Sequence, residues 1–323
     1  MVAGWKDAVL VGLLLYLAHY PYHWWPLQWA GGVLFLTYLT QFVSLSQAIF
    51  FSGIVGGVSH LPILRGMVLG PRWLIGSVFL FAIGLYALGG GLLWWLYGNI
   101  SPASRIFLFP VFLVSVEFLL SHGPYGVWVS EGYLQSPFLP ITGIVSYTGI
   151  YGISFLIALF SSLLVAIFLY TPGVFTLLPG LLIFFFLLLP GIWTLKEKPP
   201  ERMVSAGIVV NSEASGIREP FPEPLAQKAL QLYLEDLKEV AEKGADIAFL
   251  PEVALSVYSH SRREFLQQFQ EVAREKKIYL VVAYSIKDNE EKVYNQLTVI
   301  SPGGEIVGEY RKRYPLFGVA KKV

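Results

Sequence analysis

Two charged side chains stand where a strand pattern ends, and their types suit acid–base chemistry. Glu252 follows Pro251 after the apolar segment "DIAFL", and Lys312 comes 60 residues later, after "EIVGEYR". A carboxylate can take a proton from a nucleophile, and an ammonium can lower the pKa of a thiol or stabilise an oxyanion. Open α/β sheets place ligands at the carboxyl ends of strands, so we expect both side chains in one pocket. A structural ion pair, or two solvated loop residues, is the alternative that the spacing leaves open.

The segments that must position these side chains alternate between strand and helix patterns. Residues 224–244 and 262–277 each repeat apolar side chains at helical spacing, and "SPGG" at 301–304 indicates a hairpin turn. This alternation predicts a layered α/β domain. The apolar helical positions are Ala226, Leu230, Tyr233, Leu237, Val240 and Ala241 in the first helix, and Phe265, Phe269, Val272 and Ala273 in the second. The predicted strands are 204–210, 246–250, 278–284, 293–300 and 305–310.

The charge distribution divides the chain near residue 195. Of 23 basic and 22 acidic residues, only seven precede residue 196, whereas all nine tryptophans do. With a mean hydropathy of +0.59 for the whole chain, this asymmetry predicts a membrane domain over 1–195 and a water-soluble domain over 196–323.

Seven apolar segments in the first part could each form a membrane-spanning helix. A span needs about 20 apolar residues, and the first segment is shorter than this. A signal peptide is less consistent with that first segment, because no small-residue cleavage site follows it. The distribution of basic residues leaves the orientation open. The segments are 8–20, 26–43, 47–64, 73–97, 106–121, 141–169 and 174–194.

Two carboxylates of the membrane half are separate candidates for a site. Glu117 lies in a predicted span, so it should face the bundle interior, bonded to a neighbour or lining a lipid or substrate cavity. Glu131 is expected to be solvated in a loop. We expect no metal or cofactor and no nucleic-acid partner, because the soluble half carries 19 basic and 19 acidic residues and so has no basic excess.

Several motifs resemble a known family. "GADIAFLPEVAL" and "YNQLTVISPGGEIVGEYRKRYPLFG" resemble the carbon–nitrogen hydrolase (nitrilase) superfamily. "VEFLL" and "YTGIYGISFLIALFSSLL" resemble the apolipoprotein N-acyltransferases, its membrane-embedded members. The resemblance implies a polytopic α-helical membrane domain of about seven helices, followed by an incomplete nitrilase-like α/β domain of the α-β-β-α sandwich type. It also implies a bacterial cytoplasmic (inner) membrane, with the soluble domain extracytoplasmic.

The same resemblance implies roles for the two charged residues. The family uses a Glu–Lys–Cys triad, in which Glu252 matches the general base and Lys312 the lysine that stabilises the oxyanion. The thiolate takes an acyl chain from a phospholipid donor and forms a thioester. The acyl chain then passes to the N-terminal diacylglyceryl-cysteine of an apolipoprotein acceptor.

The sequence departs from the family pattern in ways that keep other functions open. It contains no cysteine, Val319 follows Phe317 and Gly318 where the family has an acidic residue, and "VVNSE" at 209–213 replaces a glutamine-containing strand end. We therefore expect either a fragment whose thiol lies outside the 323 residues or an inactive chain. The alternatives are a non-catalytic membrane protein whose degenerate domain binds lipid or a partner, and an amidase fused to a membrane anchor.

Overall fold

The chain divides into two compact units, one from Met1 to Lys198 and one from Pro199 to Val323. The computed structural model describes residues 4–19, 22–64, 71–123, 130–170, 173–194, 203–215, 217, 219–290 and 292–313. Each unit has its own hydrophobic core, so each is described separately.

The regular secondary structure in the described ranges of the first unit is all helical. A 3₁₀ turn at Glu131–Gln135 precedes α6, and α8 continues as a π-helical turn over Ala166–Tyr170. Its α-helices are α1 (Trp5–Ala18), α2 (Pro26–Leu39), α3 (Leu45–Ser59), α4 (Arg72–Asn99), α5 (Arg105–Ser121), α6 (Leu139–Thr142), α7 (Val145–Thr148), α8 (Ile150–Val165) and α9 (Val174–Thr194).

Three of the described helical segments are long and apolar enough to cross a membrane, namely Arg72–Asn99, Ile150–Leu169 and Val174–Trp193. The predicted sixth span, 141–169, is not one helix. It is broken into α6, α7 and α8, and Gly149 between α7 and α8 has φ +62°, a left-handed conformation that glycine adopts without steric cost. The start of that predicted span is therefore wrong, whereas its second part is a continuous apolar helix.

Close helix packing in this unit depends on small residues. A Cβ added at Gly56 of α3 would come within 2.5 Å of the Tyr86 Cβ on α4. Such small-residue contacts let helix backbones approach each other, which is the main route to tight packing between apolar helices.

The two acidic residues near α5 are tied into the unit by hydrogen bonds. Glu117 is buried and accepts from Ser130 Oγ at 2.8 Å and from Ser154 Oγ at 3.0 Å. Glu131 is half-buried and accepts from Tyr86 and Gln28. The prediction that Glu131 is only solvated is therefore wrong, since a tyrosine of α4 and a glutamine of α2 both reach its carboxylate.

The second unit contains one mixed sheet with two long helices on a shared core. The helices are α10 (Pro224–Glu242) and α11 (Arg262–Lys276), and their predicted apolar faces pack in that core, with Tyr233, Phe265 and Phe269 at most 1% exposed. The described residues include one sheet of the expected sandwich. Its strands are β1 (Ala206–Ile208), β2 (Pro220–Phe221), β3 (Ile247–Phe249), β4 (Leu255–Tyr258), β5 (Tyr279–Lys287), β6 (Val293–Ile300) and β7 (Ile306–Arg311).

Strand β5 organises the sheet because both of its edges are used. It pairs antiparallel with β6 along 280–287, and β6 continues into β7. The other edge of β5 pairs in parallel with β3 at 279–281 and with β4 at 284–287. Strands β3 and β4 therefore lie one after the other along the same edge of β5, and residues 282 and 283 of β5 separate the two paired stretches.

Replacing a core aromatic should loosen α11 more than replacing an exposed residue on the same helix. Phe269→Ala removes a fully buried ring and should lower the local unfolding free energy by about 3–5 kcal/mol. Hydrogen exchange at the amides of α11 and β5 would measure it. Gln267→Ala, at an exposed position of α11, should change it by less than about 0.5 kcal/mol. Equal effects of the two substitutions would contradict this packing.

Candidate active site

Glu252 is carried out of the sheet by an excess of residues between β3 and β4. Phe249 pairs with Val281 and Leu255 with Tyr284, so the five residues 250–254 stand opposite only two residues of β5. Leu250 N still donates to Val281 O, and Ala254 N donates to Ala283 O. Residues 251–253 lie outside this register, and they form a bulge that projects from the strand line. Bulges of this kind re-aim side chains and often occur beside functional sites.

The bulge contains a backbone conformation that its residue type disfavours. Val253 has φ +55°, in the left-handed region where a β-branched side chain is a genuine outlier. Such a conformation costs on the order of 1–3 kcal/mol and persists only where surrounding contacts impose it. Here Ala254 N also donates to Pro251 O at 3.1 Å, closing the turn that directs Glu252.

Lys312 is placed by the pairing of β6 with β7. Gln296 pairs with Arg311, and Lys312 N donates to Asn295 O at 2.9 Å, which extends the ladder by one residue. Asn295 in turn stands opposite Ser285, which stands opposite Ser256. Directly opposed residues share a face of the sheet, so these four side chains form a polar row across β4, β5, β6 and β7. The Ser256 and Ser285 hydroxyls are 2.7 Å apart.

The two predicted site residues meet at this row. Lys312 Nζ donates to Glu252 Oε1 at 2.6 Å, and Asn295 Nδ2 donates to the same oxygen at 2.6 Å. The Glu252 side chain remains 61% exposed and that of Lys312 32% exposed. The carboxylate is thus held from one side by two donors, while the rest of it is accessible to an incoming group.

The protonation of Glu252 follows from these contacts. The pKa of Glu252 lies below its ordinary value, mainly because the Lys312 ammonium donates a hydrogen bond to it. Partial burial opposes this shift. The charge of Lys312 and the hydrogen bond from the Asn295 amide lower the pKa further. Glu252 is therefore ionised at neutral pH. An ionised carboxylate beside an ammonium can accept a proton from a nucleophile and later donate it to a leaving group.

Sequence reasoning identified Glu252 and Lys312 but missed Asn295. The signal was present, because asparagine is disfavoured inside strands and Asn295 interrupts the otherwise strand-forming segment "VYNQLTVI". The side-chain amide of Asn295 donates to Glu252, and its backbone carbonyl accepts from the backbone N of Lys312. The sequence departure at Phe317, Gly318 and Val319 lies outside the described residues.

A second polar cluster lies on the opposite face of the same strands. Tyr284 is fully buried, and its hydroxyl lies 2.8 Å from Thr298 Oγ1 and accepts from Arg262 Nε at 3.0 Å. Arg262 also forms an ion pair with Glu309. Burial raises the pKa of Tyr284, so it stays a neutral hydroxyl. This cluster fastens α11 to β5, β6 and β7 and does not reach Glu252.

Two family models match different parts of the chain. A model of the apolipoprotein N-acyltransferase N-terminal domain matches residues 11–163. A model of the carbon-nitrogen hydrolase family matches residues 218–321, which include Glu252, Asn295 and Lys312. The two matched regions do not overlap, and they follow the division of the chain into a helical unit and a sheet unit.

Individual relatives match only parts of the chain. The protein N-terminal amidase of Saccharomyces cerevisiae is 30% identical over 82 residues, which are 21% of this chain and 18% of that protein. The chain thus spans less than a fifth of the length of this curated relative. A carbon-nitrogen hydrolase from Helicobacter pylori G27 has a TM-score of 0.27 at 17% identity, covering 34% of this chain and 39% of that one. A double mutant of the amidase from Nesterenkonia sp. AN1 in complex with acrylamide has a TM-score of 0.30 at 16% identity, covering 38% and 47%.

A zero-length cross-linker should join the carboxylate to the ammonium. A carbodiimide activates an accessible carboxylate and couples it to an amine in contact, so peptide mass spectrometry should find a Glu252–Lys312 isopeptide bond. Lys312→Arg keeps the charge but removes the primary amine, so the linked peptide should disappear. Coupling of Glu252 to an exposed lysine elsewhere, such as Lys277, in preference to Lys312 would contradict the geometry.

Removing the ammonium should raise the pKa of Glu252, because Lys312 is the main cause of its lowering. A carboxyl whose folded pKa is depressed adds stability above its unfolded pKa and loses it as the pH falls through its folded pKa. The stability difference between wild type and Lys312→Met should therefore shrink on acidification. Thermal unfolding as a function of pH would measure it.

Lys228→Met is the matched control for this titration, since it removes an exposed lysine of α10. Its stability difference from wild type should stay constant over the acidic range. A Lys312→Met difference that is equally independent of pH would show that the two charges do not interact.

Proposed function

Because the chain is an apolipoprotein N-acyltransferase-like member of the carbon–nitrogen hydrolase superfamily, we propose that its complete gene product transfers an acyl chain from a phospholipid to the N-terminal amine of a lipoprotein. Inner-membrane proteins make up this family, and three apolar helices of the chain could span a bilayer. The observation that carries the proposal is the contact of Lys312 with Glu252 at 2.6 Å in the matched hydrolase region.

Glu252 acts as the general base in the proposed reaction. Its carboxylate takes the proton of a cysteine thiol, and the thiolate attacks the ester carbonyl of the phospholipid. The 323 residues contain no cysteine, so in this proposal the thiol belongs to a segment outside them. The exposed side of Glu252, away from Lys312 and Asn295, is the side from which the thiol approaches.

Lys312 and Asn295 support the charge changes of that step. The ammonium favours the thiolate and stabilises the oxyanion of the tetrahedral intermediate. When the intermediate collapses, the carbon–oxygen bond breaks, and the proton held by Glu252 passes to the departing lysophospholipid alcohol. The acyl chain remains as a thioester. Asn295 helps to keep the carboxyl group aligned, because its amide can donate to Oε1 both when the group is ionised and when the proton lies on Oε2.

The second half-reaction uses the same two side chains, forms a carbon–nitrogen bond and breaks the carbon–sulfur bond. The N-terminal amine of the diacylglyceryl-modified acceptor attacks the thioester carbonyl, and the sulfur leaves as a thiolate. Glu252 takes the excess proton from the amine, and an amide forms. The soluble unit is extracytoplasmic in this proposal, and the helical unit brings both lipid substrates to it from the bilayer.

The proposal is tested by acyl transfer with the complete gene product. Reading the gene beyond codon 323 should show a cysteine-bearing segment, and the product should transfer acyl chains to a diacylglyceryl lipopeptide. Glu252→Gln should lower kcat by about 10²–10⁴-fold, because it removes the base. Lys312→Met should lower it by about 10²–10³-fold, because it removes the oxyanion partner.

Arg263→Gln is the matched control, because it neutralises an exposed charge of α11 away from the pair and should leave kcat unchanged. A gene product without any thiol, or full activity of Glu252→Gln, would overturn the proposal. A gene product that has no thiol but still binds phospholipid would favour the non-catalytic lipid-binding function.

A further inference from the structure

A cavity inside the helical unit has a polar end that the proposed reaction does not use. It has a volume of about 150 Å³. Residues of α4 and α5 form most of its lining, and α1, α2 and α8 contribute the rest together with His60 and Glu131, so we call it the α4–α5 cavity. Most of its wall is apolar, including Phe35, Leu93 and Phe112. Its polar end is formed by Gln28, His60, Tyr86, Glu117 and Glu131.

The donors at this polar end are already engaged with the two carboxylates. Tyr86 OH donates to Glu131 Oε1 at 3.2 Å, and the amide nitrogen of Gln28 donates to Glu131 Oε2. Glu117 Oε1 accepts from the backbone N of Glu131 at 3.0 Å. None of the ion pairs found in the described part of the chain involves Glu117 or Glu131. The polar end therefore carries acidic groups without a matching cation among those residues.

Gln28 leaves an acceptor at this end without a donor. A carboxylate oxygen only accepts, so the amide nitrogen of Gln28 must face Glu131 and the amide oxygen must face away. Gln28 is 5% exposed, and its Oε1 has no hydrogen-bond partner within the described residues. A buried acceptor without a donor is costly, and a bound group that donates a hydrogen bond removes that cost.

His60 adds a further acceptor. Its Nδ1 lies 2.9 Å from Ser59 Oγ and 3.1 Å from the carbonyl oxygen of Gly56. Because the carbonyl can only accept, the tautomer that uses this contact carries its proton on Nδ1. In the neutral ring, Nε2 is then an acceptor. The imidazole packs edge-on against Tyr86 with ring centroids 5.2 Å apart, which fixes its position beside the same end of the cavity.

We propose that the α4–α5 cavity binds a primary ammonium group carried on an apolar chain. Such a group supplies a positive charge and three N–H donors to an end that offers carboxylates and the Gln28 oxygen. The cavity is several times larger than the roughly 30 Å³ that one water occupies, so it has room for part of the attached chain. A divalent metal ion fits less well, because calcium or magnesium needs six or more oxygen ligands. The proposal is independent of the acyl-transfer reaction.

The test compares two probes that differ only in their head group, n-octylamine and n-octanol, on the purified 1–323 chain in neutral detergent. Octylamine should bind at least tenfold more tightly by isothermal titration calorimetry. Glu131→Gln should reduce the octylamine affinity about tenfold and leave the octanol affinity unchanged. Asp7→Asn, which neutralises an acidic residue of α1 that does not line the cavity, is the matched control and should retain wild-type affinity for both probes.

A second variant separates binding from folding. Gln28→Met removes the unpartnered oxygen while it leaves both carboxylates, and it should also weaken octylamine binding selectively. Thermal unfolding of each variant reports whether the helical unit is intact. Equal affinities of octylamine and octanol for the wild-type chain would overturn the proposal, as would undiminished octylamine affinity in both folded variants.

Two further comparisons identify the source of the ammonium once octylamine binding is established. Nanodiscs of phosphatidylethanolamine against phosphatidylcholine test a lipid head group, since only the former has a primary ammonium. A lipopeptide with a free against an acetylated N-terminus tests a peptide amine. The compound that carries the natural ammonium should compete with octylamine in the wild type and not in Glu131→Gln, whereas its partner without a primary ammonium should not compete. If neither phosphatidylethanolamine nor the free lipopeptide competes, the site is restricted to small alkylamines.

Discussion

The occupation of both edges of β5 is the constraint on which the candidate site depends. Because β6 covers one edge along 280–287, β3 and β4 must share the other edge, and five residues face two between them. Three residues therefore have no place in the ladder, and the middle one is Glu252. The same strand sets the register that places Asn295 and Lys312 in a row on one face. Sheet pairing thus determines where the carboxylate and the ammonium lie before either side chain interacts with the other.

The two polar clusters of the sheet unit differ in how deeply their side chains are buried. The Glu252 side chain is mostly exposed, so its ion pair with Lys312 contributes little to stability, as exposed pairs generally do. Its effect is to lower the pKa of the carboxylate and to hold it in position. On the other face, Tyr284 is fully buried, and each of its bonds to Arg262 and Thr298 satisfies a group that could not otherwise be buried. That cluster is suited to holding α11 on the sheet.

In the helical unit, Glu117 and Glu131 act as hydrogen-bond acceptors that join separate helices. Apolar helices in a lipid environment gain little from hydrophobic contact with each other, so small residues and interhelical hydrogen bonds contribute most of the specificity. Glu117 connects α5 to Ser130 and to Ser154 of α8, and Glu131 connects the segment after α5 to α2 and α4. This concentration of acceptors leaves Gln28 with an unpartnered oxygen. The same network that joins the helices therefore creates the polar end of the α4–α5 cavity.

The sequence by itself determined the features that depend on local composition and period. The division into an apolar helical part and a charged α/β part follows from the distribution of charges, and the buried faces of α10 and α11 follow from the 3.6-residue repeat through Tyr233 and Phe269. The Pro-Glu and Tyr-Arg-Lys motifs identified the two charged side chains that the fold brings together.

Tertiary structure decided what depends on residues far apart in the chain. Three features have no periodic signal in the sequence: the break of the sixth apolar segment at Gly149, the hydrogen bond of Glu131 with Tyr86, and the hydrogen bond of Asn295 with Glu252. The first depends on one backbone angle, and the other two depend on a partner from another element. The contact between Glu252 and Lys312 is of the same kind. Its residues can be named from motifs, but its distance is fixed by the register of four strands, and register is a property of the assembled sheet.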